Sequence, residues 1–218
     1  YTLYGHRWNR PGAKRILIAH GFESSSKNFD KYIGLLIEKG YEVIAFDAPG
    51  HGRSSGNRLT LLLYLATIRK VYELYGPIDG FLTHSYGGLI VSLFLEGLRH
   101  DHSIKAVFIA PATETTTTLK LFFHFFRLDN GVREEFERLI FDLSGNWPDR
   151  YSIRRAANNV SAEILWFHDE DDDLTPLEDA LKVKEDNHPN IRFRISKGLG
   201  HRRIYRDEKI VQEAVDFL

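Results

Sequence analysis

The sequence predicts an α/β fold: a mostly parallel sheet with helices on both faces. Short runs rich in β-branched and aromatic residues alternate with helix-period segments, the order that parallel strands and their crossover helices require. One of these runs, Ile78 to His84, passes through Ser85-Tyr86-Gly87-Gly88 straight into the apolar helix Leu89 to Leu98, placing a serine at the apex of a strand-turn-helix. The length of 218 residues suits one α/β domain, expected to be 1–218.

Taken in order, Tyr1 to Gly12 is aromatic and turn-rich, and with Asn9-Arg10-Pro11-Gly12 as its turn it predicts an antiparallel edge hairpin. Strands follow at Arg15 to Ala19, Tyr41 to Phe46, Ile78 to Thr83, Ala106 to Ala110, Ile164 to Phe167 and Ile191 to Ile195. Helices are expected at Phe29 to Lys39, Leu59 to Tyr75, Leu89 to Leu98 and Glu208 to Leu218. The alternation breaks once. Between Pro111 and Asn159, where one crossover helix would do, nearly fifty residues intervene, and insertions of that length in compact domains usually serve a function. The segment 113–159 is therefore expected to form a helical lid. Its first half, Leu119 to Leu128, is apolar nearly all round and predicts a helix buried on more than one side. Its second half, Val132 to Leu143, is amphipathic with Phe136, Leu139, Ile140 and Leu143 on one face.

Composition narrows the partners. A formal charge of -1 and a pI near 6.9 give no electrostatic case for nucleic acid or an anionic membrane and favour a small molecule. Cysteine is absent, which excludes disulfides, Cys-ligated zinc and a thiol nucleophile and fits a cytoplasmic location. No apolar run approaches the roughly 20 residues of a membrane span, and the start does not read as a signal peptide. Methionine is also absent, the initiator included, so the chain is not expected to be a complete gene product.

Ser85 alone is a weak signal, because Ser-x-Gly-Gly turns are common. It needs a base, and histidine suits the role because its pKa lies near neutrality. Of the ten histidines, His201 stands in a glycine-rich turn, Lys197-Gly198-Leu199-Gly200-His201, between the last strand and the last helix. A carboxylate must orient that imidazole. Asp171, Asp172 and Asp173 compete; Asp172, four residues before Pro176, is preferred, with Asp171 in reserve. The loop also begins like a calcium site, but Leu174 stands where the glycine belongs. His20-Gly21-Phe22 follows the first long strand, so the backbone amides of Phe22 and Tyr86 are expected to converge on an oxyanion, with His20 structural. Phe46 to Ser54 carries Gly50-x-Gly52, but Ser55 replaces the third glycine, so it reads as a turn over the serine rather than a nucleotide loop. Arg202 and Arg203 read as solvated or paired.

In this order the motifs resemble those of α/β-hydrolase-fold serine hydrolases, over nearly the whole chain. His20-Gly21-Phe22 looks like the family's oxyanion loop, Asp47 to Ser54 like its turn after the following strand, and His84-Ser85-Tyr86-Gly87-Gly88 like its nucleophile elbow. His168 to Asp172 and Gly198 to His201 look like its acid and base loops. The stretches at 47–54 and 198–204 are similar to a bacterial branch described only as α/β hydrolase. Thr83 departs from the pattern: it stands where the family has the first glycine of Gly-x-Ser-x-Gly, and predicts crowding against the helix. A serine at the elbow implies hydrolysis of esters, thioesters or certain carbon-carbon bonds, and argues against dehalogenases and epoxide hydrolases, which use aspartate there.

The expected function is hydrolysis of a carboxylic ester with a small or medium apolar group through an acyl-enzyme, with Ser85, Asp172 and His201 catalytic and no metal or organic cofactor. Thioester or carbon-carbon bond hydrolysis, and a non-catalytic binding protein on the same fold, are the alternatives.

Overall fold

A computed structural model describes residues 1–218. Seven strands form one sheet: β1 (Gly5–Trp8), β2 (Arg15–Ala19), β3 (Glu42–Phe46), β4 (Gly80–His84), β5 (Lys105–Ile109), β6 (Glu163–Asp169) and β7 (Ile191–Ser196). Their order is β1-β3-β2-β4-β5-β6-β7. All neighbours run parallel except β1, which pairs antiparallel with β3 in the register Gly5↔Phe46 to Trp8↔Val43.

The helices are α1 (Asp30–Glu38), α2 (Leu61–Tyr75), α3 (Tyr86–Glu96), α4 (Thr115–Phe125), α5 (Asn130–Ser144), α6 (Ile153–Ala157), α7 (Leu177–Glu185), α8 (Gly200–Arg203) and α9 (Glu208–Phe217). Side chains alternate across each strand. Ile16, Ile18, Val43, Leu82, Val107 and Phe167 pack beneath α1 and α9, while Leu17, Ile44, Phe81, Phe108 and Trp166 pack beneath α2, α3, α6 and α7. Strands buried on both faces read as continuous apolar runs, which is why the five inner strands, β2 to β6, were visible in the sequence; β7 is an edge strand that buries only Ile191.

Two expectations need correction. The start of the chain is an antiparallel edge strand but not a hairpin. Both edges of β2 are already occupied by β3 and β4, so β1 pairs with β3 instead, and Tyr4, His6 and Trp8 line up along the sheet edge. The first helix of the insertion is not buried on several sides either. Only Phe123 of α4 is buried; Phe125 is 77% exposed, and Leu121, Phe122 and Phe126 are exposed with it. Its inward contact is the edge-on packing of Phe123 against Phe136 of α5, with ring centroids 5.7 Å apart.

The insertion is anchored at its neck. Glu114 and Ser152 form an antiparallel bridge, the Ser152 hydroxyl donates to Glu114 Oε1 at 2.7 Å, and Ile153 N donates to Thr113 O at 2.8 Å. Beyond the bridge, α6 supplies the expected crossover in shortened form, with Ile153, Ala156 and Ala157 buried against the sheet layer. No helix is long and apolar enough to cross a membrane.

Candidate active site

Every loop that carries a proposed site residue leaves the carboxyl end of a parallel strand, where open α/β sheets place their ligands. Ser85 follows β4 and caps α3 with φ 54° and ψ -122°, a backbone state that costs a non-glycine residue about 1–3 kcal/mol unless its surroundings enforce it. They do. Ser85 N donates to Ile109 O at 3.0 Å, and Ser85 O accepts from Gly88 N at 3.0 Å and Ala112 N at 3.1 Å.

Thr83 fits without the predicted crowding. Its hydroxyl donates to Val107 O of β5 at 3.0 Å, and the helix opposite presents Gly88, where a Cβ would lie 3.3 Å from Thr83 Oγ1 and 2.6 Å from Pro111 Cβ. The glycine the family keeps on the strand is replaced here by room on the helix.

The structure brings Ser85, His201 and Asp172 together. His201 Nε2 lies 3.0 Å from Ser85 Oγ, and His201 Nδ1 lies 2.9 Å from Asp172 Oδ2. Asp172 is buried, and its other oxygen accepts the amides of Leu174 at 3.0 Å and Thr175 at 2.8 Å. Burial alone would raise its pKa; the hydrogen bonds from His201 and Thr175, with the nearby imidazole, outweigh that and hold the carboxyl below its usual range. Nδ1 of His201 therefore carries the proton that Asp172 accepts, leaving Nε2 free to accept from Ser85.

Neither of the other two aspartates competes for His201. Asp171 Oδ2 accepts the amide of Gly198 at 3.0 Å, and Asp173 is exposed. Asp169, at the end of β6, joins the acid and base loops: it accepts Asp171 N at 3.0 Å, Gly200 N at 2.8 Å and the Ser196 hydroxyl at 2.6 Å. Arg203 braces the same turn through the carbonyls of Leu199 at 2.9 Å and Gly198 at 2.6 Å.

On the other side of Ser85, a Cβ on Gly21 would come within 2.8 Å of Ser85 Cβ, so the loop after β2 passes directly over the serine. The amides of Phe22, just past that glycine, and Tyr86, first in α3, are engaged by no protein acceptor, and the positive end of α3 adds to the field there. His20 supports the loop from below. Its Nδ1 donates to Gly21 O at 2.7 Å and its Nε2 accepts from Ala48 N at 2.9 Å, a pattern only the neutral ring satisfies; burial pushes its pKa down to about 4. The turn after β3 lies alongside: Asp47 Oδ1 accepts from Ser26 N and Oγ at 2.8 Å each, and Oδ2 from Arg53 N at 2.9 Å. His51 sits edge-on to Phe22, their rings 5.2 Å apart.

Three residues at the site were not singled out in the sequence. The His84 ring lies tilted against that of His201, centroids 4.7 Å apart, and donates Nε2–H to His201 O at 3.1 Å, while burial and the neighbouring His201 push its pKa down to about 3. His168 donates to Thr175 O at 2.7 Å, and the Thr175 hydroxyl reaches Asp172 Oδ2 at 2.8 Å. The spacing Asp172-x-x-Thr175, which lets a carboxylate accept amides two and three residues on, was the available signal.

With this geometry in place, the comparison with known proteins is decisive for the family. The profile of the family described as "Serine aminopeptidase, S33" matches residues 11–128, more than half of the chain. The chain belongs to that family of α/β hydrolases. The hydrolase is 37% identical over 93 residues to an uncharacterized hydrolase, YugF, of Bacillus subtilis; the match covers 41% of this chain and 34% of that protein. Among solved structures it resembles a monoacylglycerol lipase of Paleococcus ferrophilus, with a TM-score of 0.71, 23% identity and 100% of both chains covered. It also resembles an esterase of Pyrococcus furiosus, with a TM-score of 0.72, 20% identity and coverage of 99% and 84%. At those identities the likeness is one of fold.

Proposed function

We propose that this hydrolase cleaves a carboxylic ester with a small or medium apolar group, through an acyl-enzyme on Ser85. The observation that carries the reading is the continuous line Ser85 Oγ, His201 Nε2 at 3.0 Å, His201 Nδ1, Asp172 Oδ2 at 2.9 Å. In the proposed sequence, Ser85 Oγ attacks the carbonyl carbon as its proton passes to His201 Nε2. Asp172 holds the imidazole in the required tautomer and stabilises its positive charge. The amides of Phe22 and Tyr86 receive the developing oxyanion. Collapse of the tetrahedral species expels the alcohol, which takes the proton from His201. Water, deprotonated by the same nitrogen, then attacks the acyl carbon, and the acid leaves as Ser85 regains its proton. Residues 113–159 serve in this reading as a lid whose aromatic side chains cover the apolar part of the substrate. The esterase and lipase structures that share the fold support the ester class.

The test is hydrolysis of p-nitrophenyl esters from acetate to palmitate, with and without Ser85→Ala. Turnover should disappear in the variant while its thermal unfolding stays intact, and the preferred chain length should measure the apolar site. A variant retaining most of the rate would sink the assignment.

A further inference from the structure

The three groups of the proposed triad do not end the polar network at Ser85. Behind Asp172 stands a buried hydroxyl with no solvent to serve. Thr175, 7% exposed, places Oγ1 2.8 Å from Asp172 Oδ2, 3.1 Å from His201 Nδ1 and 3.2 Å from Ala110 O. Its backbone is fixed from two sides: its amide donates to Asp172 Oδ1 at 2.8 Å, and its carbonyl accepts from His168 Nε2 at 2.7 Å. His168 is in turn held by Trp166, whose indole N–H donates to His168 Nδ1 at 3.3 Å. Trp166 is fully buried on β6, so the chain of contacts runs from the centre of the sheet to the nucleophile.

We propose that Thr175 is a positioning residue for the reaction, donating its hydroxyl proton to the carboxylate oxygen that receives His201. The proposal rests on the serine-hydrolase reading. A carboxylate oxygen with one donor can swing about its Cβ–Cγ bond. Asp172 Oδ1 is pinned by the amides of Leu174 and Thr175, and Oδ2 by Thr175 in addition to His201. With four donors engaged, the carboxylate has one orientation, and that orientation aims Oδ2 at Nδ1. The Thr175 oxygen also faces Nδ1 directly, so its lone pairs lie beside the positive charge that appears on His201 when Ser85 is deprotonated. Both effects strengthen in the transition state rather than in substrate binding, so their loss belongs in kcat.

The decisive experiment is a double-mutant cycle on Thr175 and Asp172, read as ester turnover and as the rate at which a fluorophosphonate labels Ser85. Thr175→Val keeps the shape and removes the hydroxyl; kcat and the labelling rate should fall about tenfold, the size of a lost hydrogen bond to a charged group, with KM within about twofold. Thr175→Ser should restore most of the loss. On an Asp172→Asn background the same Thr175→Val change should cost less than about twofold, because the hydroxyl acts through that carboxylate. The proposal is overturned by an unchanged kcat in Thr175→Val, by an equal loss on the Asp172→Asn background, or by a failure of serine to rescue. A loss that appears in KM alone overturns it as well. Ser85→Ala separates the two levels: residual turnover there defeats the hydrolase reading itself, and with it the proposal, whatever Thr175 does.

Discussion

The rim of the sheet and the insertion beyond it are built from opposite materials. Around Ser85, polar side chains are buried and almost every one is matched: Asp47, Asp169 and Asp172 each accept several donors, and His20, His84 and His168 each hold a backbone carbonyl. In α4 and α5 the imbalance is apolar. Phe122, Phe125, Phe126, Leu139 and Leu143 stand exposed, and α5 has no buried residue at all. A buried polar network tolerates few geometries, because each unmatched group costs about 1–3 kcal/mol. The two helices hold to the rest through ring contacts, Ile140 against the core and the polar neck around Glu114 and Ser152, contacts that fix geometry less closely. The chain thus separates a part that must be placed to within tenths of an ångström from a part whose side chains are mostly exposed and loosely constrained.

The contrast breaks first at the carboxylate. Asp172→Asn keeps the volume and most of the hydrogen bonds but allows the amide N–H to face His201, which would hold the imidazole in the wrong tautomer. A loss of about 10³–10⁴-fold in kcat is expected from that exchange in a triad of this kind, with KM little changed. Steady-state kinetics on the ester that serves best would show it; a loss of tenfold or less would mean that Asp172 is not the orienting acid.

The same polar rim makes stability depend on pH. Burial lowers the pKa of His20 to about 4 and that of His84 to about 3, and lowers that of His168. An unfolded histidine takes up a proton near pH 6.5. Between that value and the folded pKa the unfolded chain binds more protons, so stability is full above about pH 6.5 and drains away as the pH falls. For Asp47, Asp169 and Asp172, burial opposes ionisation, but their hydrogen-bond donors prevail and the pKa of each is lowered. Their contribution is present above about pH 4, the unfolded carboxylate value, and is lost below it. Melting followed from pH 8 to pH 3 should therefore show Tm falling in two stages, with several kcal/mol gone by pH 4. A Tm that stays level from pH 7 to pH 4.5 would contradict the neutral, buried histidines.

How much of this could be read from the sequence divides along the same line. The inner strands and the elbow were legible because their signals are local: apolar runs buried on two faces, and Ser85 between a strand and two glycines. The pairing of β1 was not, because a turn at Asn9 to Gly12 announces a reversal without saying which strand receives the chain. Helices α7 and α8 were passed over for another reason. Helix α7 buries only Asp179, Ala180 and Val183 in nine residues, and α8 is four residues long, so neither prints a periodic apolar pattern. The role of His84 depends on a contact with the loop after β7, whereas His168 and Thr175 meet within β6 and its own loop, where Asp172-x-x-Thr175 was the one local signal. The aromatic run at 119–128 misled in the opposite direction: apolar composition predicted burial, whereas exposed rings are what a cover for an apolar substrate would need.

That last point gives the smallest effect on the fold and the sharpest test of the proposed lid. Phe125 is 77% exposed and Phe126 56% exposed, with their rings packed mainly on each other and on Phe122. Replacing both by serine removes little buried area, so stability should change by less than about 0.5 kcal/mol per site. If these rings close over the apolar part of the ester, KM for decanoate and longer p-nitrophenyl esters should rise several-fold. Acetate should be unaffected, because it is too short to reach them. The ratio of the two KM changes carries the information, since any general damage to the site would raise both. Equal changes for short and long esters would leave 113–159 as a structural insertion and remove the lid from the mechanism, while the chemistry at Ser85 would stand untouched.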